Sequence, residues 1–184
     1  MEKKRLILVG KGGSGKDYAR KISENIVGAK YAVSYTSRPP RENEVEGEDY
    51  FFVDESFFTN GIENNFWYEY VVFNGWYYGT SNEQFQNDKL FIMTPKGLSH
   101  LSEEDRNESA VLYLNMPEEV RKERMLARNG NADSVERRLE ADELDFKDFE
   151  DWDFMMDNPF YRVDEIIEVW RIIASKPIAY TKTI

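Results

Sequence analysis

The densest chemistry in the chain lies near its start. Gly10-Lys11-Gly12-Gly13-Ser14-Gly15-Lys16 fits the spacing G-x-x-x-x-G-K. In that pattern glycines let successive backbone N–H groups turn inward around phosphate oxygens, and the lysine adds a mobile point charge. On this spacing Gly10, Gly12, Gly13, Ser14 and Gly15 form the cradle, and Lys16 reaches the β- and γ-phosphates of a nucleotide. The next position normally carries a Ser or Thr for magnesium. Here it is Asp17, so the motif departs from its usual form at the metal end.

A second set of phosphate ligands follows. Arg38 and Arg41 stand three apart around Pro39-Pro40, with Tyr50 and Tyr78 further on. Arginine presents a planar fork of donors matched to phosphate, and tyrosine adds a hydroxyl. Arg121, Arg124, Arg128, Arg137 and Arg138 form another basic group, the first three at spacings that share a helical face. Glu136 and Glu140 offer some of these arginines a simpler role in solvated ion pairs.

The elements that position these groups read as α/β. Leu6 to Val9 is a continuous apolar run, the pattern of a strand covered on both faces. The glycine turn and an amphipathic helix from Lys16 to about Ile26 come next, with Ala19, Ile22 and Ile26 on one face. Tyr31 to Tyr35 predicts a second strand of the same sheet. Residues 36–49 form a loop that switches from basic to acidic, with five acids between Glu42 and Asp49. Tyr50–Val53, Phe66–Phe73 and Trp76–Tyr78 are aromatic strands around a helical patch, and Asn74-Gly75 predicts a tight hairpin.

Residues 36–86 thus read as a small, largely antiparallel insert in a body made of 1–35 and 87–184. The body resumes with a strand at Lys89–Met93, a short helix opened by Pro95, a strand at Ala110–Leu114 and a helix from Pro117 to about Ala127. Arg128-Asn129-Gly130-Asn131 interrupts, and a new helix begins near Ala132. A strand at Phe154–Met156, a helix from Val163 to about Ala174 and a tail over 176–184 complete the chain.

Composition narrows the functions open to such a chain. The 184 residues contain 35 acids against 24 bases, a net charge of −11, which disfavours a nucleic-acid partner and requires any phosphate to be held in a local pocket. With no cysteine and one histidine, His100, thiol chemistry, zinc sites and Ser-His-Asp catalysis fall away. MEKKRLILVG has only four apolar residues before Gly10, too few for a signal peptide, and no run approaches a membrane span. A cytoplasmic protein with no membrane partner is the expectation.

These pieces together resemble the guanylate kinase family over about residues 5–174. The specific matches are Ser34-Tyr35-Thr36-Ser37-Arg38-Pro39-Pro40-Arg41 with Glu46-Gly47-Glu48-Asp49-Tyr50-Phe51-Phe52, then Phe66-Trp67-Tyr68-Glu69-Tyr70 and Tyr77-Tyr78-Gly79-Thr80-Ser81. The resemblance implies a P-loop nucleoside monophosphate kinase fold. Its parts are a parallel core sheet flanked by helices, a mixed or antiparallel monophosphate-binding insert and a helical lid at about 126–145.

It implies further that Arg38, Arg41, Tyr50 and Tyr78 hold the acceptor phosphate, and that Ser34, Glu69 and Thr80 touch guanine. Arg128 and Arg138 match the lid arginines, and Asn158 matches the asparagine after the last strand. Lys16, Arg38, Arg128 and Arg138 would be the catalytic cations, with ATP as co-substrate, Mg²⁺ as cofactor and a monomer or weak homodimer as the working form.

The chain departs from the family's Asp-Ile-Asp-Trp-Gln-Gly pattern. It has Ile92-Met93-Thr94-Pro95-Lys96-Gly97. Thr94 replaces an acid that touches guanine, and Ile92 replaces one that serves magnesium, which leaves Asp17 as the expected metal ligand. Three functions therefore stand: GMP or dGMP phosphorylation by ATP, a nucleoside or deoxynucleoside monophosphate kinase of other base choice, and an inactive protein-binding domain. The intact phosphate loop argues against the last.

Overall fold

The computed structural model describes residues 3–73, 75–127 and 134–174. Asn74, the interruption at Arg128–Asn131, the helix start near Ala132 and the tail over 176–184 lie outside the described residues.

The centre is a four-stranded, wholly parallel sheet. Its strands are β1 (Arg5–Val9), β6 (Leu90–Ile92), β7 (Ser109–Leu114) and β8 (Phe154–Met156), in the order β6-β1-β7-β8. Leu6 to Val9 have no exposed surface, and their alternation divides the core in two. Leu6 and Leu8 face α1 (Lys16–Ile22) and α8 (Val163–Ala174), while Ile7 and Val9 pack with Phe85, Phe91 and Leu98.

The second sheet is mixed, in the order β3-β2-β5-β4, from β2 (Tyr35–Thr36), β3 (Phe51–Phe52), β4 (Trp67–Phe73) and β5 (Trp76–Ser81). β2 runs parallel to β3 and antiparallel to β5, and β4–β5 closes as a hairpin with Phe73 opposite Trp76. Helix α2 (Glu55–Glu63) covers it through Phe58, which stacks on Trp67 at 4.0 Å and on Tyr77 at 5.1 Å. Asp54 caps α2 by accepting from the Phe57 N–H.

The remaining elements are short. α3 (Asn82–Asn87) opens on a capping box between Ser81 and Gln84, and Thr94 caps α4 (Pro95–Leu98). α5 (Glu103–Glu108) starts at Ser102, while α6 (Glu118–Leu126) and α7 (Val135–Asp145) flank the undescribed 128–133. Among the described residues no helix is long and apolar enough to cross a membrane.

Two expectations fail. Tyr31–Tyr35 is not a core strand: Tyr31 makes one parallel bridge to Leu90, and the chain then crosses to the other sheet at Tyr35. Ile26 does not share the buried face of Ala19 and Ile22. The helix widens to a π turn over Ser23–Val27, which rotates Ile26 out to 55% exposure.

Candidate active site

Both sheets direct their loops into one cavity of about 660 Å³, within the size range of small-ligand sites. Its floor is the phosphate loop, at the carboxyl end of β1, where open α/β sheets bind ligands. Gly13 and Gly15 adopt φ of +76° and +97°, values that favour glycine. At Gly13 a Cβ would also stand 2.7 Å from the Arg121 carbonyl oxygen, so α6 could not pack there against a larger residue. The Lys16 ammonium donates to the carbonyls of Gly10 (2.6 Å) and Lys11 (3.1 Å), which curls it over the loop.

Gly10, Gly12, Gly13, Ser14, Gly15, Lys16 and Asp17 all line the cavity. Ser14 Oγ is buried without a hydrogen-bond partner, a polar atom facing the inside of the loop rather than solvent. Asp17 is exposed on the first turn of α1 and borders a second cleft with Tyr18, Arg124 and Tyr161. Its charge is felt by the phenols of Tyr31, Tyr50 and Tyr161, so the carboxylate stands between the two clefts.

The opposite wall carries Arg38, Arg41, Tyr50 and Tyr78. Arg38 is 6% exposed; its Nη2 meets both Glu44 carboxylate oxygens at 2.8 Å, and its Nη1 donates to the Pro39 carbonyl. Glu44 also accepts from Arg41 Nη1 at 3.1 Å and from the Arg41 N–H at 2.8 Å. One carboxylate therefore clamps both guanidiniums from the same side. The Nε–H groups of Arg38 and Arg41 stay buried without partners.

An orphaned buried donor is costly, and both arginines line the cavity, where an anion would meet two positive charges. The Tyr50 and Tyr78 rings meet edge to face at 6.0 Å beside them, and burial pushes the Tyr50 phenol well above its usual range, keeping it a donor. Sequence reasoning missed Glu44 by counting it among five loop acids.

Glu69 on β4 is 7% exposed and faces the Thr80 hydroxyl across the hairpin, which donates to its Oε1 at 2.8 Å. A Cβ at Gly97 would stand 2.9 Å from its other oxygen, so α4 walls it in. Burial pushes this carboxyl up to about 7, opposed by hydrogen bonds from Thr80. Ser34, Ile92 and Thr94 line the same cavity, and Thr94 Oγ1 accepts the Gly97 N–H at 3.1 Å as the cap of α4.

The raised Glu69 carboxyl carries a stability consequence. Between its ordinary value near 4.5 and about 7, the native state holds a proton that the unfolded chain has lost. The associated stability is complete below about 4.5 and is lost as pH rises through 7. Glu69→Gln, which cannot ionise, should therefore melt close to the unmutated protein at pH 4.5. At pH 8 it should melt higher, by an amount on the order of 2–3 kcal/mol. Parallel melting curves across that range would mean the carboxyl is solvated.

The second basic group divides. Arg138, and with it Arg137, reaches the cavity from α7, while Arg128 lies outside the described residues. Arg121 is a buried brace instead: it is 1% exposed and bonds the Met116 carbonyl, Asp142 and Glu143. Arg124 ties the loop to the segment after β8, donating to the carbonyls of Gly13 (3.2 Å) and Pro159 (2.7 Å). Glu136 lies 4.0 Å from the Lys122 ammonium. Asn158 sits just after β8, with Oδ1 accepting the Phe160 N–H.

A phosphate loop on a parallel sheet, facing the arginine-bearing loop of a second sheet and a helical lid, defines a P-loop kinase fold. The chain matches the family model described as guanylate kinase over residues 2–174. It is 30% identical to a guanylate kinase of Wolinella succinogenes, covering 95% of this chain and 86% of that one. It is 32% identical to one from Helicobacter pylori, covering 83% and 78%. The crystal structure of a guanylate kinase from Anaplasma phagocytophilum superposes with a TM-score of 0.72 at 23% identity, covering 95% of this chain and 88% of that one. The chain belongs to the guanylate kinase family and is a phosphotransferase of the nucleoside monophosphate kinase type.

Proposed function

We propose that the protein transfers the terminal phosphoryl group of ATP to GMP or dGMP, giving ADP and the diphosphate. Support comes above all from the paired guanidiniums of Arg38 and Arg41, held together by Glu44. Both residues line one cavity with the phosphate loop and with Glu69. Arg38, Arg41, Tyr50 and Tyr78 hold the acceptor phosphate. The Glu69 carboxylate accepts from guanine N1–H and its exocyclic amine, while Ser34 and Thr80 complete the base contact. Adenine has no donors at those positions and would leave a buried carboxylate unsatisfied.

The acceptor is already an anion, so no general base or covalent nucleophile is needed. Catalysis consists of positioning and charge neutralisation by Lys16, Arg38, Arg138 and Arg128. Asp17 would be the carboxylate that holds Mg²⁺. Among the described residues no three metal-ligating side chains cluster, which fits a cation carried mainly by nucleotide oxygens and water. When bound, Mg²⁺ supplies positive charge to the β- and γ-phosphates.

A broader base choice has one observation in its favour: Ile92 and Thr94 bring no acid to the guanine side of the cavity. No nucleic-acid or membrane partner is proposed, and the protein is taken to act in the cytoplasm as a monomer or weak dimer.

Arg41→Ala and Tyr78→Phe test the acceptor site. Each should raise KM for the monophosphate about tenfold or more, the scale of a lost charge-assisted hydrogen bond, and leave KM for ATP within about twofold. Equal effects on both nucleotides would place the acceptor elsewhere.

A further inference from the structure

The phosphate loop already holds an anion of the protein's own. Asp142, near the end of α7, is 8% exposed. Its Oδ2 accepts the Gly12 N–H at 2.8 Å and meets Arg121 Nη1 at 3.3 Å. The approach is close: a Cβ on Gly12 would lie 3.1 Å from that oxygen and 3.5 Å from an Arg138 nitrogen. The neighbouring Glu143 pairs with Lys11, so α7 grips the loop at two consecutive residues.

Asp142 is one of three acceptors around Arg121, which also bonds Glu143 and the Met116 carbonyl at 3.2 Å each. Burial pushes the Asp142 carboxyl upward, and the Gly12 N–H, Lys16, Arg121 and Arg138 oppose it. Three of these four, Gly12, Lys16 and Arg138, are groups that the proposed function assigns to the nucleotide's phosphates. A carboxylate here and a polyphosphate compete for the same N–H and the same positive field.

We propose that Asp142 is an affinity-setting residue for the donor nucleotide. Its carboxylate occupies the Gly12 N–H and offsets the charge of Lys16 and Arg138, so ATP and ADP bind less tightly than the loop alone would hold them. A polyphosphate held too firmly would slow product release, a step that limits many enzymes. This inference rests on the donor role given above to the phosphate loop.

Asp142→Asn removes the charge and keeps an oxygen for the Gly12 N–H. Calorimetric titration of the full chain with Mg-ATP and Mg-ADP should show both at least about fivefold tighter, with GMP moved less than twofold. In steady state, KM for ATP should fall without a rise in kcat. Asp142→Ser, smaller and also neutral, should shift ATP and ADP in the same direction and serves if the asparagine variant misfolds. Unchanged or weaker ATP and ADP binding by a folded neutral variant would overturn the inference and leave Asp142 as a structural brace. Failure of the unmutated protein to bind either adenine nucleotide would instead overturn the donor assignment, and this inference with it.

Discussion

Lys16→Ala is expected to reduce kcat/KM by at least about 100-fold while leaving the fold intact. The ammonium stands over the glycine loop on the carbonyls of Gly10 and Lys11, poised to meet charge that develops on the transferred group. Deleting one well-placed electrostatic contact of this kind typically removes two to three orders of magnitude in rate. Two hydrogen bonds to backbone carbonyls go with it, a stability loss on the order of 1–2 kcal/mol, so far-ultraviolet circular dichroism should be unchanged. Turnover within about threefold of the unmutated protein, in a folded variant, would refute the phosphate-loop assignment.

Glu69→Gln is expected to abolish the preference for guanine. The carboxylate presents two acceptors in a walled recess where its protein hydrogen bonds come from Thr80. A glutamine amide would point a donor at guanine's N–H groups. By analogy with base-edge recognition, a bidentate contact contributes about 1–3 kcal/mol, so one acid should favour GMP over AMP roughly 10- to 100-fold. The variant should bring that ratio near unity. Thr94→Asp should widen it, because aspartate caps a helix as well as threonine does and adds a charge at α4 facing the cavity. A GMP/AMP ratio unmoved by Glu69→Gln would separate Glu69 from base recognition.

Much of this site was legible because its signals are local. The glycine loop sits between a continuous apolar strand and a helix, Arg38 and Arg41 flank a rigid Pro39-Pro40, and Tyr50, Glu69 and Tyr78 fall in short motifs that carry the family resemblance. Contacts made by tertiary packing were not. Glu44 looked like one of several loop acids until the fold turned it between two arginines. Asp142 meets Gly12 across 130 residues, a contact that no spacing announces. Arg121 carries the charge of a phosphate ligand, yet α6 and α7 bury it among acids.

The misread elements have equally local causes. Aromatic residues at Tyr31–Tyr35 favour extended backbone but do not specify a sheet, and the segment is spent crossing between two of them. Helical periodicity misplaced Ile26 because one wide turn shifts the phase. α3 and α5 went unread, although the capping box of Ser81 and Gln84 and the Ser102–Asp105 cap stand in the residues themselves.

The central claim is transfer from ATP to a guanine monophosphate, and coupled measurement of ADP release with ATP-Mg²⁺ tests it most directly, using GMP, dGMP, AMP and dTMP as acceptors. GMP or dGMP should give the highest kcat/KM, at least about tenfold above AMP and dTMP. An adenine or pyrimidine monophosphate ahead by tenfold would contradict the guanine assignment, and no acceptor-dependent ADP release at all would contradict the kinase.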